Sequence, residues 1–251
     1  DCLAETFSRN ASSKNFSKQF QKYKQKEEKT KLNFKSSNNE EYNHLFNLAE
    51  LQDSLGLSKD TAAGPDEIHY QLLKHLPLKA LEILLSIFNK IWETGVLPPS
   101  WKEAIIIPLA KPGKDKSEPS NYHPIALTSC VCKTLERMIN TRLVWFLETN
   151  NLITNFQSGF RKHRSTNDNL VRLETFIRDA FIKKEHIAAV FFDLEKAYDT
   201  TWKYGIMRDL QDLGLAGRLP NFIADLLSDR NFKVRVGATL SDTQAQDEGV
   251  P

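Results

Sequence analysis

Apolar residues recur every three or four positions in several stretches of the chain, which predicts amphipathic helices. The clearest stretch runs from Leu78 to Thr94 and is followed by Gly95, a residue type that ends helices in the left-handed conformation. The same spacing predicts a helix capped by Thr128 or Ser129 and further helices over residues 167–183, 202–213 and 219–228. In the helix over residues 167–183 the apolar stripe comprises Leu170, Leu173, Ile177 and Phe181. We expect these stripes to face a core rather than a cofactor.

Three other stretches favour β-strands. Residues 104–109 are rich in β-branched side chains and precede a Lys-Pro-Gly-Lys turn, and residues 232–236 alternate between apolar and basic. Ile187 to Phe192 is a run of consecutive apolar residues, typical of a strand buried on both faces, and it stops at Asp193. Together with the helices, these strands predict an α/β or α+β body around a small sheet.

Asp193 is the strongest candidate for chemistry in this pattern. A carboxylate at the end of a buried strand is held still and can offer an oxygen ligand to a hard cation such as Mg²⁺. The same residue could instead cap the helix that follows, and its position alone leaves both interpretations open.

The residues after Asp193 resemble motif A of the reverse transcriptases of non-LTR (LINE or jockey-like) retrotransposons. The segment reads Asp193-x-x-Lys196-Ala197-Tyr198-Asp199, where the family usually has Asp-x-x-Lys-Ala-Phe-Asp. Other blocks follow the family's order: Ala63-Gly-Pro-Asp66, Ile107-Pro-Leu-Ala-Lys-Pro-Gly-Lys114, Asn121-Tyr-His-Pro-Ile-Ala-Leu-Thr-Ser129, Gln157-Ser-Gly-Phe-Arg161 with Ser165 and Thr166, and Gly249-Val-Pro251 from motif B.

This resemblance implies an α+β, right-hand polymerase fold with fingers and an incomplete palm, truncated before the motif-C hairpin. Residues 1–47 would be a basic N-terminal connector, and residues 48–251 the reverse transcriptase fingers and partial palm. The implied activity is RNA-directed DNA polymerisation, in which dNTPs extend a DNA primer along an RNA template with two Mg²⁺ ions. An endonuclease domain or protein of the same element is the expected partner, and the nucleus the expected site of action.

The resemblance also assigns roles to single residues. The Asp193 carboxylate and the Leu194 carbonyl are the expected metal ligands; Lys111, Lys114, His123 and Tyr198 are expected to bind the nucleotide. Arg161, Lys196 and Asp199 would support the template or the palm.

Two departures from the family pattern carry further expectations. The partner carboxylates of motif C are not in this chain, so we expect the 251 residues to be inactive alone. His123 replaces an Arg of the family, and a mostly neutral imidazole cannot make a bidentate phosphate contact.

Charge and composition change this picture little. The net charge is only +2, but residues 9–35 hold nine Lys and Arg against Glu27 and Glu28, with aromatic residues interleaved. This segment either lies along phosphates or is a solvated, disordered linker. Three cysteines are too few and too badly spaced for a disulfide framework or a zinc site, and no run approaches the about 18 apolar residues of a membrane span. We therefore expect an intracellular protein without a membrane partner.

Two other functions stay open at this stage. A catalytically dead remnant of a mobile element could keep a nucleic-acid-binding surface without the metal centre. An unrelated Mg²⁺ phosphotransferase could use Asp193 as its nucleophile, but it would need a phosphate-binding Ser or Thr after the strand, and Lys196 alone is weak support.

Overall fold

The computed structural model describes residues 2–250, which form two compact units. The first unit comprises the residues up to Leu143 and those from Lys196 onward, and the second runs from Val144 to Glu195. The helices are α1 (Cys2–Asn10), α2 (Lys18–Glu27), α3 (Leu48–Gly56), α4 (Tyr70–Lys74), α5 (Leu78–Thr94), α6 (Cys130–Thr149), α7 (Thr166–Lys183), α8 (Lys203–Asp212) and α9 (Arg218–Leu227). Short 3₁₀ turns lie at Ser13–Asn15, Glu41–Asn43, Pro99–Lys102 and Pro119–Asn121.

A small mixed sheet forms the centre of the first unit. Its strands are β1 (Glu103–Ala110), β2 (Tyr122–Leu127), β3 (Asn231–Val236), β4 (Thr239–Leu240) and β5 (Gln244–Ala245). β1 pairs antiparallel with β2 and parallel with β3, and β4 and β5 both pair antiparallel with β3. The parallel pair joins β1 to β3, which are far apart in sequence. The sheet therefore connects the two chain segments that make up the first unit.

Helix α1 covers part of this sheet. Its Ala4 and Phe7 form a buried cluster with Ile106 of β1 and with Phe232 and Val234 of β3. Full burial of an aliphatic or aromatic side chain contributes roughly 1.5–3 kcal/mol. The N-terminal segment is therefore part of the folded core of the first unit. Within the basic stretch over residues 9–35, α2 is helical and its Phe20 packs against Trp202, which favours an ordered segment over a disordered linker. A domain boundary at residue 47 stays a prediction.

Gly64 shows why the Ala-Gly-Pro-Asp block needs its glycine. A Cβ atom at this position would lie 2.4 Å from the backbone carbon of Thr128 and 2.5 Å from the nitrogen of Ser129. Only a residue without a side chain allows this approach. The block thus packs directly against the residues that begin α6.

Most of the predicted elements are confirmed. Helix α5 has the predicted bounds and ends at Gly95 with φ of 66°. The Ser129 hydroxyl accepts a hydrogen bond from the Cys132 amide at the start of α6, as a capping residue does. β1, β3, α8 and α9 lie within a residue or two of their predicted positions. The mixed α/β body around a small sheet is also confirmed. Within residues 2–250, no helix is long and apolar enough to cross a membrane.

The predicted strand over residues 187–192 is wrong. These residues have no regular secondary structure, and their large side chains are exposed, from 46% at Ile187 to 90% at Phe192. A strand buried on both faces needs hydrogen-bonding neighbours, and no strand within residues 2–250 pairs with this segment. In the sheet that does form, the interior positions belong to β1 and β3. We call residues 187–192 the apolar segment.

Helix α7 is confirmed, but the prediction that its apolar stripe is core is wrong for two residues. Leu170 is 57% exposed and Phe181 is 77% exposed. A capping box between Ser165 and Asp168 starts the helix. Local sequence signals therefore specify this helix, while its apolar face is only partly covered.

Candidate active site

Two segments that are far apart in sequence meet in the first unit. The Gly249 amide donates a hydrogen bond to the Thr201 carbonyl, and the Val250 amide donates one to the Tyr198 carbonyl, both at 2.9 Å. Gly249 has φ of +81°, and a Cβ there would lie 2.6 Å from the Tyr198 carbonyl oxygen. Both its backbone angle and the close contact require glycine. The end of the motif A block and the start of the motif B block thus form one site.

Three of the predicted site residues lie together beside this junction. Asp199 is half-buried, and burial raises the pKa of its carboxyl above the ordinary value. Electrostatic interactions with Lys196 and His123 act on the pKa of Asp199 in the opposite direction. His123 lies on β2, opposite Leu109 of β1. The β1–β2 hairpin therefore brings His123 to the motif A loop.

Tyr198 contacts the junction through its backbone carbonyl, whereas Lys196 makes its contact through its side chain. The Tyr198 carbonyl is engaged with Val250, but its side chain is 61% exposed and accessible to a ligand. The Lys196 ammonium donates a hydrogen bond to the Asn10 side-chain oxygen at 3.0 Å. Lys196 is thus held by the last residue of α1, and its supporting role stays a prediction.

The predicted turn between β1 and β2 is present and carries two exposed lysines. The Lys111 amide donates to the Asn121 carbonyl, and its ammonium donates to the Ser120 carbonyl at 3.1 Å. Lys114 follows Gly113, whose φ is 70°. Both side chains are exposed to solvent. Their contact with a nucleotide stays a prediction.

Asp193 lies in the second unit, in the exposed stretch that follows the apolar segment. Leu194 is 79% exposed. No group of three His, Cys, Asp or Glu side chains in residues 2–250 is placed so that it could hold a metal ion. The assignment of Asp193 and Leu194 as metal ligands stays a prediction.

Arg161 has a well-defined structural role within the second unit. Its guanidinium donates two hydrogen bonds to the Glu148 carboxylate, at 2.8 and 2.6 Å, and a third to the Thr154 carbonyl at 2.8 Å. The hydrogen bond from Arg161 holds the pKa of Glu148 below its usual value. A guanidinium occupied in this way favours support of the fold over direct contact with a template.

Sequence reasoning missed several residues at the junction. Glu248 is buried and forms an ion pair with Lys24 of α2 at 2.7 Å. Trp202 packs against Phe20 of α2. The interleaved aromatic and basic residues of α2 were the only sequence signal, and the pattern does not show which lysine points inward. The partner in the ion pair lies more than two hundred residues away.

Comparison with known proteins places the chain in a family. Residues 110–251 match the family described as "Reverse transcriptase (RNA-dependent DNA polymerase)". The chain is 35% identical over 204 residues to a probable RNA-directed DNA polymerase from transposon BS of Drosophila melanogaster, a match that covers 81% of this chain and 22% of that protein. It is 32% identical over 190 residues to the RNA-directed DNA polymerase from mobile element jockey of the same species, covering 76% of this chain and 21% of that protein.

A more distant relative is the Pol polyprotein of the type-1 retrotransposable element R2 of Popillia japonica, at 28% identity over 188 residues, which covers 75% of this chain and 25% of that protein. The chain thus spans about a fifth of the length of the first two relatives. The match over residues 110–251 and the two Drosophila relatives confirm the predicted resemblance: this chain belongs to the reverse transcriptase family, with relatives in non-LTR retrotransposons.

Proposed function

We propose that this chain forms the fingers and part of the palm of a right-hand RNA-directed DNA polymerase, which extends a DNA primer along an RNA template with dNTPs. The observation that carries the proposal is the junction between Tyr198–Thr201 and Gly249–Val250. Two separate motif blocks of the family are joined there by backbone hydrogen bonds, at a glycine that no other residue can replace. Family membership supplies the reaction class.

Within this proposal, the residues of the first unit bind and select the nucleotide. The exposed ring of Tyr198 packs against the sugar and excludes a 2′ hydroxyl by steric contact. Lys111 and Lys114 lie on an exposed turn and offer positive charge to the triphosphate. Asp199 and Lys196 hold the loop that carries Tyr198.

Mg²⁺ enters the proposal as the cation of the complete polymerase, to which this chain would contribute Asp193 and the Leu194 carbonyl. Two-metal nucleotidyl transfer needs ions about 4 Å apart and more than one carboxylate to hold them. The described residues do not provide such a set, so no catalytic step is assigned to a metal on them. We propose accordingly that the 251-residue chain alone does not polymerise DNA.

The test is primer extension on an RNA template by a protein in which this chain continues through the downstream part of its reading frame. Tyr198→Ala should increase ribonucleotide incorporation relative to deoxynucleotide incorporation, and Tyr198→Phe should not. Asp193→Asn should abolish extension. Extension by the 251-residue chain alone, or an unchanged sugar preference in Tyr198→Ala, would contradict the proposal.

A residue-level test addresses His123. If this residue contacts the triphosphate, His123→Arg should tighten dNTP binding by on the order of tenfold to a hundredfold at pH 7.5, because a hydrogen bond to a charged group is worth roughly 1.5–3 kcal/mol. Equal dNTP affinities would mean that His123 acts on Asp199 alone.

One observation favours a second candidate, a nucleic-acid-binding remnant without catalysis. Helix α2 presents Lys18, Lys22 and Lys26 on one exposed face, at a spacing of four residues, while its opposite face packs on α8. A helix held in this way presents its charges in fixed positions to a phosphate backbone.

Replacing Lys18, Lys22 and Lys26 with Gln should weaken RNA binding and lower the magnitude of the slope of log K against log salt by about 2, at about 0.7 per phosphate on single strands. The matched control replaces three exposed lysines elsewhere, Lys59, Lys79 and Lys90, with Gln. RNA binding without polymerisation by the longer protein would favour the remnant. Equal slopes in both triple variants would remove α2 as a binding face.

A further inference from the structure

The amides of Glu248, Gly249 and Val250 hold the start of motif B and the residue before it, and they donate to two separate segments of the first unit. The Glu248 amide donates to the Ala11 carbonyl at 2.8 Å, the Gly249 amide to Thr201 and the Val250 amide to Tyr198. The first of these hydrogen bonds is accepted by Ala11, which directly follows α1. The N-terminal segment therefore takes part directly in holding motif B against motif A.

Helix α2 adds a charged contact at the same place. The Lys24 ammonium lies 2.7 Å from Glu248 and 3.1 Å from Glu28. Both members of the Lys24–Glu248 pair are largely buried, with side chains 15% and 7% exposed. Burial acts to lower the pKa of Lys24, but hydrogen bonds and charge from Glu248 and Glu28 outweigh it and raise the pKa above its usual value. Removal of Lys24 would leave the buried Glu248 carboxylate without its ion-pair partner, and removal of Glu248 would leave Lys24 paired with Glu28 alone.

Side chains on both sides of Lys24 fix α2 in this position. Trp202, the N-cap residue of α8, packs edge-on against Phe20 at 5.4 Å between ring centroids. The Trp202 indole donates to Glu28 at 2.9 Å, the same carboxylate that pairs with Lys24. Arg208 of α8 pairs with Glu27 at 3.1 Å. Lys24 is therefore held by a docked helix rather than by a mobile surface chain.

We infer that Lys24 is a positioning residue for the candidate nucleotide site. By pairing with Glu248 it holds Gly249 against the loop that carries Tyr198 and Asp199, so that the N-terminal segment sets the geometry of that loop. The positioning itself rests on contacts of this chain; its effect on nucleotide binding rests on the proposed polymerase function.

Hydrogen–deuterium exchange of the 251-residue chain tests the positioning without any assay of activity. Lys24→Met and Glu248→Gln should each accelerate exchange of the Gly249 and Val250 amides by about tenfold or more, because breaking a buried ion pair opens the contact locally. The double variant should show no larger effect than either single variant, because both changes remove the same contact. Lys24→Arg should restore slow exchange, and Lys79→Met, at an exposed lysine of α5, should have no effect.

A second measurement uses the longer protein that the polymerase assay requires. Lys24→Met should raise the KM for dNTP several-fold with a smaller change in kcat, and Lys24→Arg should restore the KM. If the unmodified longer protein does not polymerise DNA, the proposed function fails, while the exchange experiment still decides the positioning role. Unchanged exchange at Gly249 and Val250 in Lys24→Met would overturn the inference. Equal acceleration of exchange at the Ile106 amide in the sheet would also overturn the inference, because Lys24 would then act only on the global stability of the protein.

Discussion

The N-terminal helix α2 and the apolar segment have the opposite of the environments that their compositions suggest. Helix α2 is rich in lysine and glutamine, yet it is anchored by aromatic packing and by ion pairs with Arg208 and Glu248. The apolar segment, residues 187–192, consists of Ile, Ala, Val and Phe, yet its large side chains are exposed. Burial in this protein therefore follows from the available partners and not from the hydrophobicity of a segment.

The difference has a physical basis. Helix α2 satisfies its own backbone hydrogen bonds, so a few side chains on one face are enough to dock it. A strand must find hydrogen-bonding neighbours before its apolar side chains can be buried. In residues 2–250 the strands β2 and β3 flank β1, and none flanks the apolar segment.

The largest expected effect comes from removing the aromatic anchor of α2. Trp202→Ala should lower the free energy of unfolding by about 2 kcal/mol or more, because it removes contacts with Phe20 and Tyr23 and the hydrogen bond to Glu28. Phe191→Ala, at a residue that is 81% exposed, should change it by less than about 0.5 kcal/mol. Urea unfolding followed by far-UV circular dichroism measures both. A larger loss for Phe191→Ala would reverse the comparison.

A smaller effect is expected on self-association through the apolar segment. A contiguous exposed apolar surface promotes association, so the chain should form oligomers. Replacing Val190 and Phe192 with Lys should weaken association by about tenfold, which corresponds to about 1.4 kcal/mol.

The control for this experiment replaces single exposed apolar residues elsewhere, Leu57 and Ile83, with Lys. These two changes should leave the association constant unaltered. Sedimentation velocity over a range of protein concentrations provides the measurement. A monomeric unmodified chain would show that the apolar segment is covered in solution.

The smallest expected effect concerns Asp199, at the anchored junction. Because burial raises the pKa of Asp199 in the folded state, the folded protein binds more protons than the unfolded chain between about pH 3.9 and the raised value. Stability should therefore fall as the pH rises through this window. Asp199→Asn should remove that fall and stabilise the protein at pH 7 by less than about 1 kcal/mol, because the carboxyl is half-exposed.

Denaturant unfolding at pH 3 and pH 7 checks this prediction, and the pH 3 value serves as the internal control. The two proteins should have similar stability at pH 3. Lower stability of Asp199→Asn at pH 7 would indicate that Lys196 stabilises the charged carboxylate more than burial destabilises it.

Much of the fold is predictable from local sequence signals. The spacing of apolar residues and the following Gly95 define α5, and the β-branched run followed by Lys-Pro-Gly-Lys defines β1 and its turn. Both signals lie within a few residues of the structure that they specify. The resemblance to the retrotransposon enzymes identified the family and selected Gly249 and the loop around Tyr198.

The contacts between distant residues are not predictable in the same way. Nothing in the spacing of α2 distinguishes Lys24, which pairs with Glu248, from Lys22, which is exposed. The run Ile187 to Phe192 has the composition of a buried strand, and composition does not reveal whether neighbouring strands exist. Pairing in three dimensions, rather than propensity, decides both cases.

Amide hydrogen exchange of the unmodified 251-residue chain compares the two regions most directly. We expect the amides of α2 from Lys22 to Glu27 to exchange at least about tenfold more slowly than those of residues 188–192, because α2 is a docked helix and the apolar segment lacks backbone pairing. Slower exchange in residues 188–192 than in α2 would contradict this expectation, because the apolar segment would then be a paired strand and the N-terminal helix the open region.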